Sequence, residues 1–539
     1  MRPRGRTKNE NLYALIDAAQ PRDPSGTALQ TAAGLRYSWR DLHFGAARLA
    51  GWLASVAPAL DSDGMPARIA VQVEKSPEAL MLYLAALRAG FAYVPLNTAY
   101  REGELEYFLA DAQPAVVVST PQRESEVAAI AARTGGARVA TLGEARDGSL
   151  LQEAAPFPDH FATVSRAANQ LAAILYTSGT TGRSKGAMLS HGNLTANALV
   201  LDEFWGFKEE RDAGGHDVLL HALPLFHVHG LFVASHAALL SGSRMIFLPR
   251  FDAGEVCRWL PQSTVFMGVP TYYTRLLAEE RFDRHLCRNM RLFISGSAPL
   301  AAETQREFLR RAGHAILERY GMSETLMLVS NPYFGIAARD RVPGTVGVPL
   351  PGVAVHVLRD DGTRCALGES GHVQVHGPSV FSGYWGMPEK TREEFTDDGW
   401  FKTGDIGHFG GAGKPDRYLT LVGRAKDLII SGGYNVYPKE VESYLDEQPG
   451  VAESAVFGVP HPDFGEAVAA VVVAAPGATL DEAALINALK DRIANYKVPK
   501  RVCVVDALPR NAMGKVQKNV LREQYAGTFT QSTFAPRSS

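Results

Sequence analysis

The chain reads Tyr176-Thr-Ser-Gly-Thr-Thr-Gly-Arg-Ser-Lys-Gly186 directly after an apolar run, residues 172–176. Glycines let backbone N–H groups converge on an anion, the Ser and Thr hydroxyls donate further hydrogen bonds, and Lys185 adds a compact positive charge. A flexible Ser/Gly turn is the alternative, but the preceding strand favours a loop that holds phosphates. It is not a Walker A loop, because Gly179 is not followed five residues later by Gly-Lys-Ser/Thr.

The composition is that of an ordinary globular protein. The chain has 539 residues, 46% of them hydrophobic and 21% charged, and a formal net charge of −2. Near-neutral charge disfavours binding to nucleic acid or to a membrane surface. The length corresponds to three or four units at about 150 residues each. Four widely spaced cysteines indicate neither a zinc site nor a disulfide scaffold, so we expect buried, reduced thiols.

No stretch predicts a transmembrane helix, since Pro224 and several histidines interrupt the most apolar run, residues 218–240. The N-terminus is basic, but Glu10, Asn11 and Asp17 follow where a secretory signal would need an apolar core. We therefore expect a cytoplasmic enzyme. A mitochondrial transit peptide is a minor alternative, because the first 24 residues contain no Ser.

Short apolar runs alternate with segments of helical period over much of the chain, which predicts parallel sheets wrapped by helices. The strands expected are 68–73, 115–119, 172–176 and 291–295, and the helices 78–89 and 302–312. Gly-rich strands between residues 344 and 405 predict a compact β subdomain. Beyond Gly423 the pattern predicts a small α/β unit of about 110 residues, with helices over 439–448 and 481–495.

Five further motifs follow the phosphate loop in a characteristic order. They are Ser295-Gly-Ser-Ala-Pro299, Tyr320-Gly-Met-Ser-Glu324, Trp400-Phe-Lys-Thr-Gly-Asp405, Gly423-Arg-Ala-Lys-Asp427 and Pro509-Arg-Asn-Ala-Met-Gly-Lys515. With them the chain resembles the acyl-adenylate-forming superfamily, which includes acyl-CoA synthetases, peptide-synthetase adenylation domains and luciferases. The resemblance implies an α/β fold: a large N-terminal region of two αβ layered sheets plus a distorted β-barrel (1–425), a hinge at Lys426, and a small mobile C-terminal α/β lid (427–539).

The resemblance also implies ATP, Mg²⁺ and CoA, the last as a substrate. Glu324 is the expected Mg²⁺ ligand, since Mg²⁺ prefers one or two carboxylates plus phosphate oxygens and water. Tyr320 is expected to stack on adenine and Asp405 to hold the ribose, although a core aromatic and a simple turn are the alternatives. The predicted nucleotide- and CoA-binding residues are Thr177, Ser178, Gly179, Thr180, Thr181, Gly182, Lys185, Gly296, Ser297, Ala298, Tyr320, Gly321, Met322, Ser323, Asp405, Arg424, Gly432 and Gly433.

Lys515 matches the catalytic lysine of the superfamily, although a lysine in a Pro, Asn and Gly-rich loop is ordinarily solvated. An ammonium at this position would offset the repulsion between a carboxylate and the α-phosphate. The resemblance implies that the lid then rotates at Lys426 and brings Gly432-Gly433 towards the acyl-adenylate. From spacing alone, that glycine pair is a hairpin turn.

A second resemblance concerns the acid. Residues 267–275, 291–300, 318–324, 434–440 and 509–522 look like those of malonyl-CoA synthetases. Arg275 would then pair with the second carboxylate of malonate, because an unpaired buried charge is costly and Arg–carboxylate pairs are selective. The other predicted substrate residues are His227, Val228, Ser297 and Met322, with His227, Glu324 and Lys515 as catalytic residues. Val228 and Met322 would set the tolerance for methylmalonate.

Several alternatives stay open. Arg275 could be a surface residue paired with Glu279, and the substrate would then be another short-chain or aryl acid. A peptide-synthetase module is disfavoured because no carrier domain follows the lid region. A non-catalytic nucleotide sensor is disfavoured by the intact set Lys185, Glu324, Asp405 and Lys515. The expected partners are small molecules alone, and the oligomeric state is open.

Overall fold

The computed structural model describes residues 9–177, 184–207, 216–333, 341–411, 413–431, 434–490, 492–511 and 514–529. The strands are β1 (Thr27–Thr31), β2 (Arg36–Ser38), β3 (Arg68–Gln72), β4 (Ala92–Pro95), β5 (Val116–Ser119), β6 (Arg138–Thr141), β7 (Leu171–Thr177), β8 (Lys185–Ser190), β9 (Val218–His221), β10 (Arg244–Phe247), β11 (Val265–Gly268), β12 (Leu292–Ser295), β13 (Leu317–Met322), β14 (Leu326–Ser330), β15 (Val348–Pro349), β16 (Ala354–Leu358), β17 (Gly371–His376), β18 (Phe401–Phe409), β19 (Leu419–Arg424), β20 (Ile429–Ser431), β21 (Tyr434–Val436), β22 (Val451–His461), β23 (Gly465–Ala474) and β24 (Arg501–Val505).

The α-helices are α1 (Leu12–Ala18), α2 (Trp39–Val56), α3 (Pro77–Ala89), α4 (Glu102–Ala112), α5 (Glu124–Thr134), α6 (Ser149–Ala154), α7 (His191–Phe204), α8 (His236–Leu240), α9 (Ala253–Trp259), α10 (Pro270–Ala278), α11 (Ala302–Ala312), α12 (Pro388–Glu394), α13 (Pro438–Asp446), α14 (Glu482–Lys490) and α15 (Lys518–Tyr525). A π-helix, His229–Ser235, precedes α8. Local signals explain many ends: α3 begins with a Ser76 cap and Pro77, and it ends at Gly90 with φ +79°.

Two large sheets form the N-terminal part of the molecule. One has six strands in the order β6-β5-β3-β4-β7-β8, parallel except for β8. The other has nine strands in the order β15-β14-β13-β12-β11-β9-β10-β1-β2, with its central strands parallel. These sheets confirm the predicted α/β class. The carboxyl ends of β9, β11, β12 and β13 lie at one edge, where ligands of such sheets bind.

The β subdomain, for which the resemblance implied a distorted β-barrel, is a single sheet in the described residues. Strands β16 to β19 form an open antiparallel sheet of four strands, and within the described residues β16 and β19 do not pair. Four strands are too few to enclose an interior of side chains. The sheet instead joins the nine-stranded one through a bridge between Gly347 and Leu419.

The C-terminal part, from β20 onward, has its own five-stranded sheet of order β21-β20-β23-β22, with β24 parallel to β23. Separate hydrophobic clusters cover its two faces. Helix α14 ends at Lys490, earlier than the predicted residue 495, and Ile493 and Tyr496 pack against one of these clusters. The boundary at Lys426 between the two parts remains a prediction.

None of the described helices is both long and apolar enough to cross a bilayer. The cytoplasmic location remains a prediction. All four cysteines are free, as expected, but only Cys257 and Cys287 are buried, whereas Cys365 and Cys503 are partly exposed.

Candidate active site

The two ends of the phosphate loop lie side by side on β7 and β8, where Thr177 pairs with Lys185. The Lys185 ammonium lies 3.3 Å from Glu394 Oε1 and 4.2 Å from the centre of the Tyr384 ring. The loop residues predicted to bind phosphates, Ser178, Gly179, Thr180, Thr181 and Gly182, lie outside the described residues. The structure therefore shows the lysine of this motif, which lies beside the carboxylate of Glu394.

Glu324 lies in the turn between β13 and β14 and is buried. The Tyr384 hydroxyl donates to Glu324 Oε1 (3.1 Å), and burial raises the pKa of this carboxyl. A divalent cation would offset that cost, so the residue fits the predicted Mg²⁺ ligand. The described part of the chain has no group of three or more His, Cys, Asp or Glu that could hold a metal, which agrees with a site completed by phosphate and water.

Asp405, Arg424 and Tyr320 form a connected cluster next to Glu324. The Tyr320 hydroxyl donates to the Asp405 carboxylate, and Arg424 Nε lies 2.9 Å from Asp405 Oδ1. Burial raises the pKa of Asp405, and the Arg424 guanidinium opposes that shift. The ribose and adenine roles of these residues remain predictions, but the fold does bring them together from β13, β18 and β19.

Two further predicted residues have unusual backbone environments. A Cβ at Gly321 would lie 1.9 Å from the Leu326 carbonyl oxygen, so only glycine fits. Ser297 has φ +73°, a left-handed conformation that non-glycine residues rarely adopt outside functional sites. Ser323 directly follows Met322 in the turn after β13, and Ala298 directly follows Ser297 in the loop after β12.

We use the name acid pocket for the predicted substrate residues His227, Val228, Ser297 and Met322 together with Arg319. Val228 is buried at the start of the π-helix, and the Ser297 hydroxyl lies 3.5 Å from Nδ1 of His229. Burial, with Lys515 and Arg319 nearby, lowers the pKa of His227 to about 3. His227 is therefore a neutral imidazole in the physiological range.

Arg319 received no role from the sequence. Its side chain on β13 is only 3% exposed, and its Nε and Nη2 have no hydrogen-bond partner among the described residues. Burial lowers its pKa to about 9. It lies against Gly296, where a Cβ would be 2.2 Å from the guanidinium carbon. The signal was an arginine within a buried strand, Leu317–Met322, since such a charge needs a partner.

Arg275 differs from its expectation. It lies on α10 with an exposed side chain, and it forms no ion pair with a described carboxylate. Glu279, the alternative partner, lies 3.9 Å from Arg281 instead. Arg275 was favoured because a buried guanidinium needs an anionic partner. Since Arg275 is exposed, that argument does not apply to it, but it does apply to the buried Arg319. The role of Arg275 in binding the substrate remains a prediction.

The C-terminal part brings Lys515 to the same site. Its loop is held by hydrogen bonds in both directions with Asn511, from Asn511 N to Lys515 O (2.9 Å) and from Lys515 N to Asn511 Oδ1 (3.0 Å). A Cβ at Gly514 would lie 3.7 Å from Thr271 Oγ1 on α10.

The Lys515 side chain stays accessible to water but is surrounded by protein. Burial lowers its pKa and Arg424 adds to the shift, whereas Asp405 and Glu324 oppose it. Lys426, the predicted hinge, is in a one-turn 3₁₀ helix, Ala425–Asp427. Gly432 and Gly433 lie outside the described residues.

Two family models match the chain. The model of AMP-binding enzymes covers residues 16–385, and the model of the C-terminal domain of AMP-binding enzymes covers residues 440–515. The chain belongs to the AMP-binding enzyme family. The first model contains Lys185 and Glu324, and the second ends at Lys515, so the family matches both parts of the candidate site.

Individual relatives are similar over most of their length. A malonate–CoA ligase of Arabidopsis thaliana is 36% identical over 85% of this chain and 78% of its own. A feruloyl-CoA synthase of an Amycolatopsis species is also 36% identical, over 93% of this chain and 96% of its own.

Solved structures also match the chain over nearly its whole length. ATP-bound MatB from Rhodopseudomonas palustris is 52% identical, covers 97% of this chain and 100% of its own, and matches with a TM-score of 0.91. Apo MatB matches over the same extent with a TM-score of 0.81. The fold of this chain is therefore similar to that of MatB over nearly the complete length of both chains.

Proposed function

We propose that this protein is an AMP-forming acid–thiol ligase that converts malonate and CoA to malonyl-CoA. ATP and malonate give malonyl-AMP and pyrophosphate, and CoA then gives malonyl-CoA and AMP. The observation that carries the choice of acid is Arg319, a buried guanidinium with two unpaired nitrogens beside the catalytic-lysine position. The similarity to a plant malonate–CoA ligase supports the same choice.

The first half-reaction needs positive charge where two anions meet. Lys185 would hold ATP phosphates once they displace Glu394, and Glu324 would hold Mg²⁺, which neutralises the phosphate oxygens when bound. Lys515 would contact both the carboxylate and the α-phosphate, a position from which it stabilises the charge that shifts during attack. Asp405 and Arg424 would orient the ribose.

The second half-reaction would need Lys515 to leave. Rotation of residues 427–539 about Lys426 would withdraw it and bring Gly432 and Gly433 to the acyl-adenylate.

Malonate fits the acid pocket because its second carboxylate would satisfy Arg319. A monocarboxylate would leave that guanidinium desolvated and unpaired, which disfavours it. Val228 and Met322 would limit the size of a substituent at C2, so methylmalonate is the side activity to examine.

A panel of mono- and dicarboxylates in an acid-dependent pyrophosphate-release assay tests the proposal. Malonate should give the highest kcat/KM. Arg319→Met should lower kcat/KM for malonate roughly a hundredfold, about 3 kcal/mol of transition-state binding, without lowering it for acetate. Arg275→Ala is the matched variant at the exposed guanidinium, and we expect a smaller loss there. Release of pyrophosphate without malonate, or ADP as the product, contradicts the proposal.

An aryl acid is the second candidate, favoured by the similarity to a feruloyl-CoA synthase. In that case ferulate would exceed malonate in the panel, and neither arginine variant would change the ranking of acids.

A further inference from the structure

Lys75 is a buried lysine that the reaction described above does not use. It is 8% exposed, in the loop between β3 and α3, and it forms no ion pair with a described carboxylate. Its ammonium lies 2.8 Å from His221 Nδ1, 2.7 Å from the His221 carbonyl oxygen and 4.3 Å from the centre of the Phe247 ring. Burying an amine is costly, so this arrangement calls for an explanation.

The contact joins the two large sheets. Lys75 follows a strand of the six-stranded sheet, whereas His221 is the last residue of β9 in the nine-stranded sheet. His221 and Phe247 are opposite each other across β9 and β10. Lys75 therefore fastens one sheet to the carboxyl ends of the strands that build the site on the other.

The hydrogen bonds continue from His221 into the π-helix. His221 Nε2 lies 3.0 Å from the Gly230 carbonyl oxygen and 3.1 Å from Ser235 Oγ. A carbonyl can only accept, so Nε2 carries the proton and Nδ1 accepts from Lys75. Burial lowers the pKa of His221 well below its ordinary value, which agrees with a neutral ring.

The backbone at Gly230 is tightly packed in this connection. A Cβ there would lie 2.0 Å from the Pro224 carbonyl oxygen, so the backbone of the first π-turn packs directly on the segment before it. His227 and Val228 lie between these two contacts and belong to the acid pocket. A shift of the Gly230 carbonyl would therefore move both side chains.

We propose that Lys75 and His221 form a positioning pair that holds the π-helix through the Gly230 carbonyl and so sets the shape of the acid pocket. Neither residue is among those to which the proposed reaction assigns contact with the acid or with ATP. This inference rests on the proposed function, because it assumes that the acid binds beside His227 and Val228.

The test compares Michaelis constants for the two substrates. Lys75→Met removes the donors and keeps the length of the side chain. It should raise KM for malonate at least tenfold and leave KM for ATP within twofold. Gln72→Leu is the control: it removes a buried amide on β3 that donates to the carbonyls of Asn97 and Tyr100. That variant should lose thermal stability and keep the KM for malonate.

A second pair of variants decides the question even if Lys75→Met does not fold. His221→Gln retains an acceptor for Lys75 and a donor for Gly230 at similar spacing, so it should keep KM for malonate within about threefold. His221→Leu retains neither and should raise it at least tenfold. Equal effects of the Gln and Leu variants, or parallel changes in both Michaelis constants, overturn the inference.

Failure of the proposed function looks different. The wild-type enzyme would then release no pyrophosphate with malonate, and the same comparison would be made with whichever acid of the panel it turns over.

Discussion

Glu318 is a buried carboxyl group one residue before Arg319. Its Oε1 accepts from the Leu300 N–H (3.2 Å), and its Oε2 has no partner among the described residues. Burial raises its pKa from 4.5 to about 7. The carboxyl is thus protonated in the folded protein under mildly acidic conditions, where it would be ionised in the unfolded chain.

The stability of the protein should therefore fall as pH rises through neutrality. A carboxyl whose pKa is higher in the folded state contributes least to stability above that pKa. The free energy of unfolding therefore decreases between about pH 4.5 and about pH 7, by on the order of 3 kcal/mol. Thermal unfolding at pH 5.5 and pH 8 should show about 2 kcal/mol of this loss, because the remainder lies below pH 5.5. Glu318→Gln should show a smaller difference between the two pH values than wild type, and an equal difference would assign the pH dependence to other groups.

The π-helix His229–Ser235 directly follows His227 and Val228, two residues of the acid pocket. π-helices are rare and cluster at functional sites, because the extra residue per turn displaces the backbone from its regular path. Here the wide turn lets the Gly230 carbonyl oxygen accept hydrogen bonds from Ser235 Oγ and His221 Nε2. No periodicity of apolar residues distinguishes such a turn from an α-helix.

Gly230→Ala should disrupt this element. The added methyl group would collide with backbone, which cannot rotate away, so we expect at least a tenfold loss of malonate-dependent pyrophosphate release together with a lower melting temperature. Gly103→Ala is the control, since Gly103 is an exposed residue in the first turn of α4 with no atoms within 4 Å of its Cβ position. It should leave activity unchanged and raise stability slightly. Full activity of Gly230→Ala would show that the tight contact is dispensable.

The whole molecule assembles one site from two separately packed parts. Lys515 comes from the C-terminal part, whereas Glu324, Asp405 and Arg319 come from the sheets of the N-terminal part. Each part has its own hydrophobic clusters. The arrangement of the parts, and not the packing within either one, places the ammonium at the site.

Lys515→Ala should therefore separate the half-reactions. Malonate-dependent pyrophosphate release should fall at least a thousandfold because the carboxylate and α-phosphate lose their shared cation, a loss of about 4 kcal/mol. Formation of malonyl-CoA from supplied malonyl-AMP and CoA should stay within tenfold of wild type. Lys490→Ala, at an exposed position on α14, is the control. Equal loss of both half-reactions would contradict a C-terminal part that moves between them.

Much of the fold was predictable because its signals are local. Helix 302–312 was predicted with the bounds that the structure shows. The open four-stranded form of the β subdomain was not predictable, because closure of a sheet depends on contacts between its first and last strands, which no local pattern records. The helix predicted over residues 481–495 was too long, because the conformation of its final residues depends on packing against other elements.

The motifs that identify the family were all legible in the amino-acid order, because a phosphate loop, a metal-binding carboxylate and a catalytic lysine each need particular side chains at close spacing. The tertiary structure decided which arginine side chain is desolvated. Arg275 is at the exposed side of a helix, whereas Arg319 is enclosed between Gly296 and the acid pocket. Desolvation depends on everything that surrounds a group in space, so the sequence determined the chemistry of activation, and the packing of separate strands decided which of the two guanidinium groups is buried.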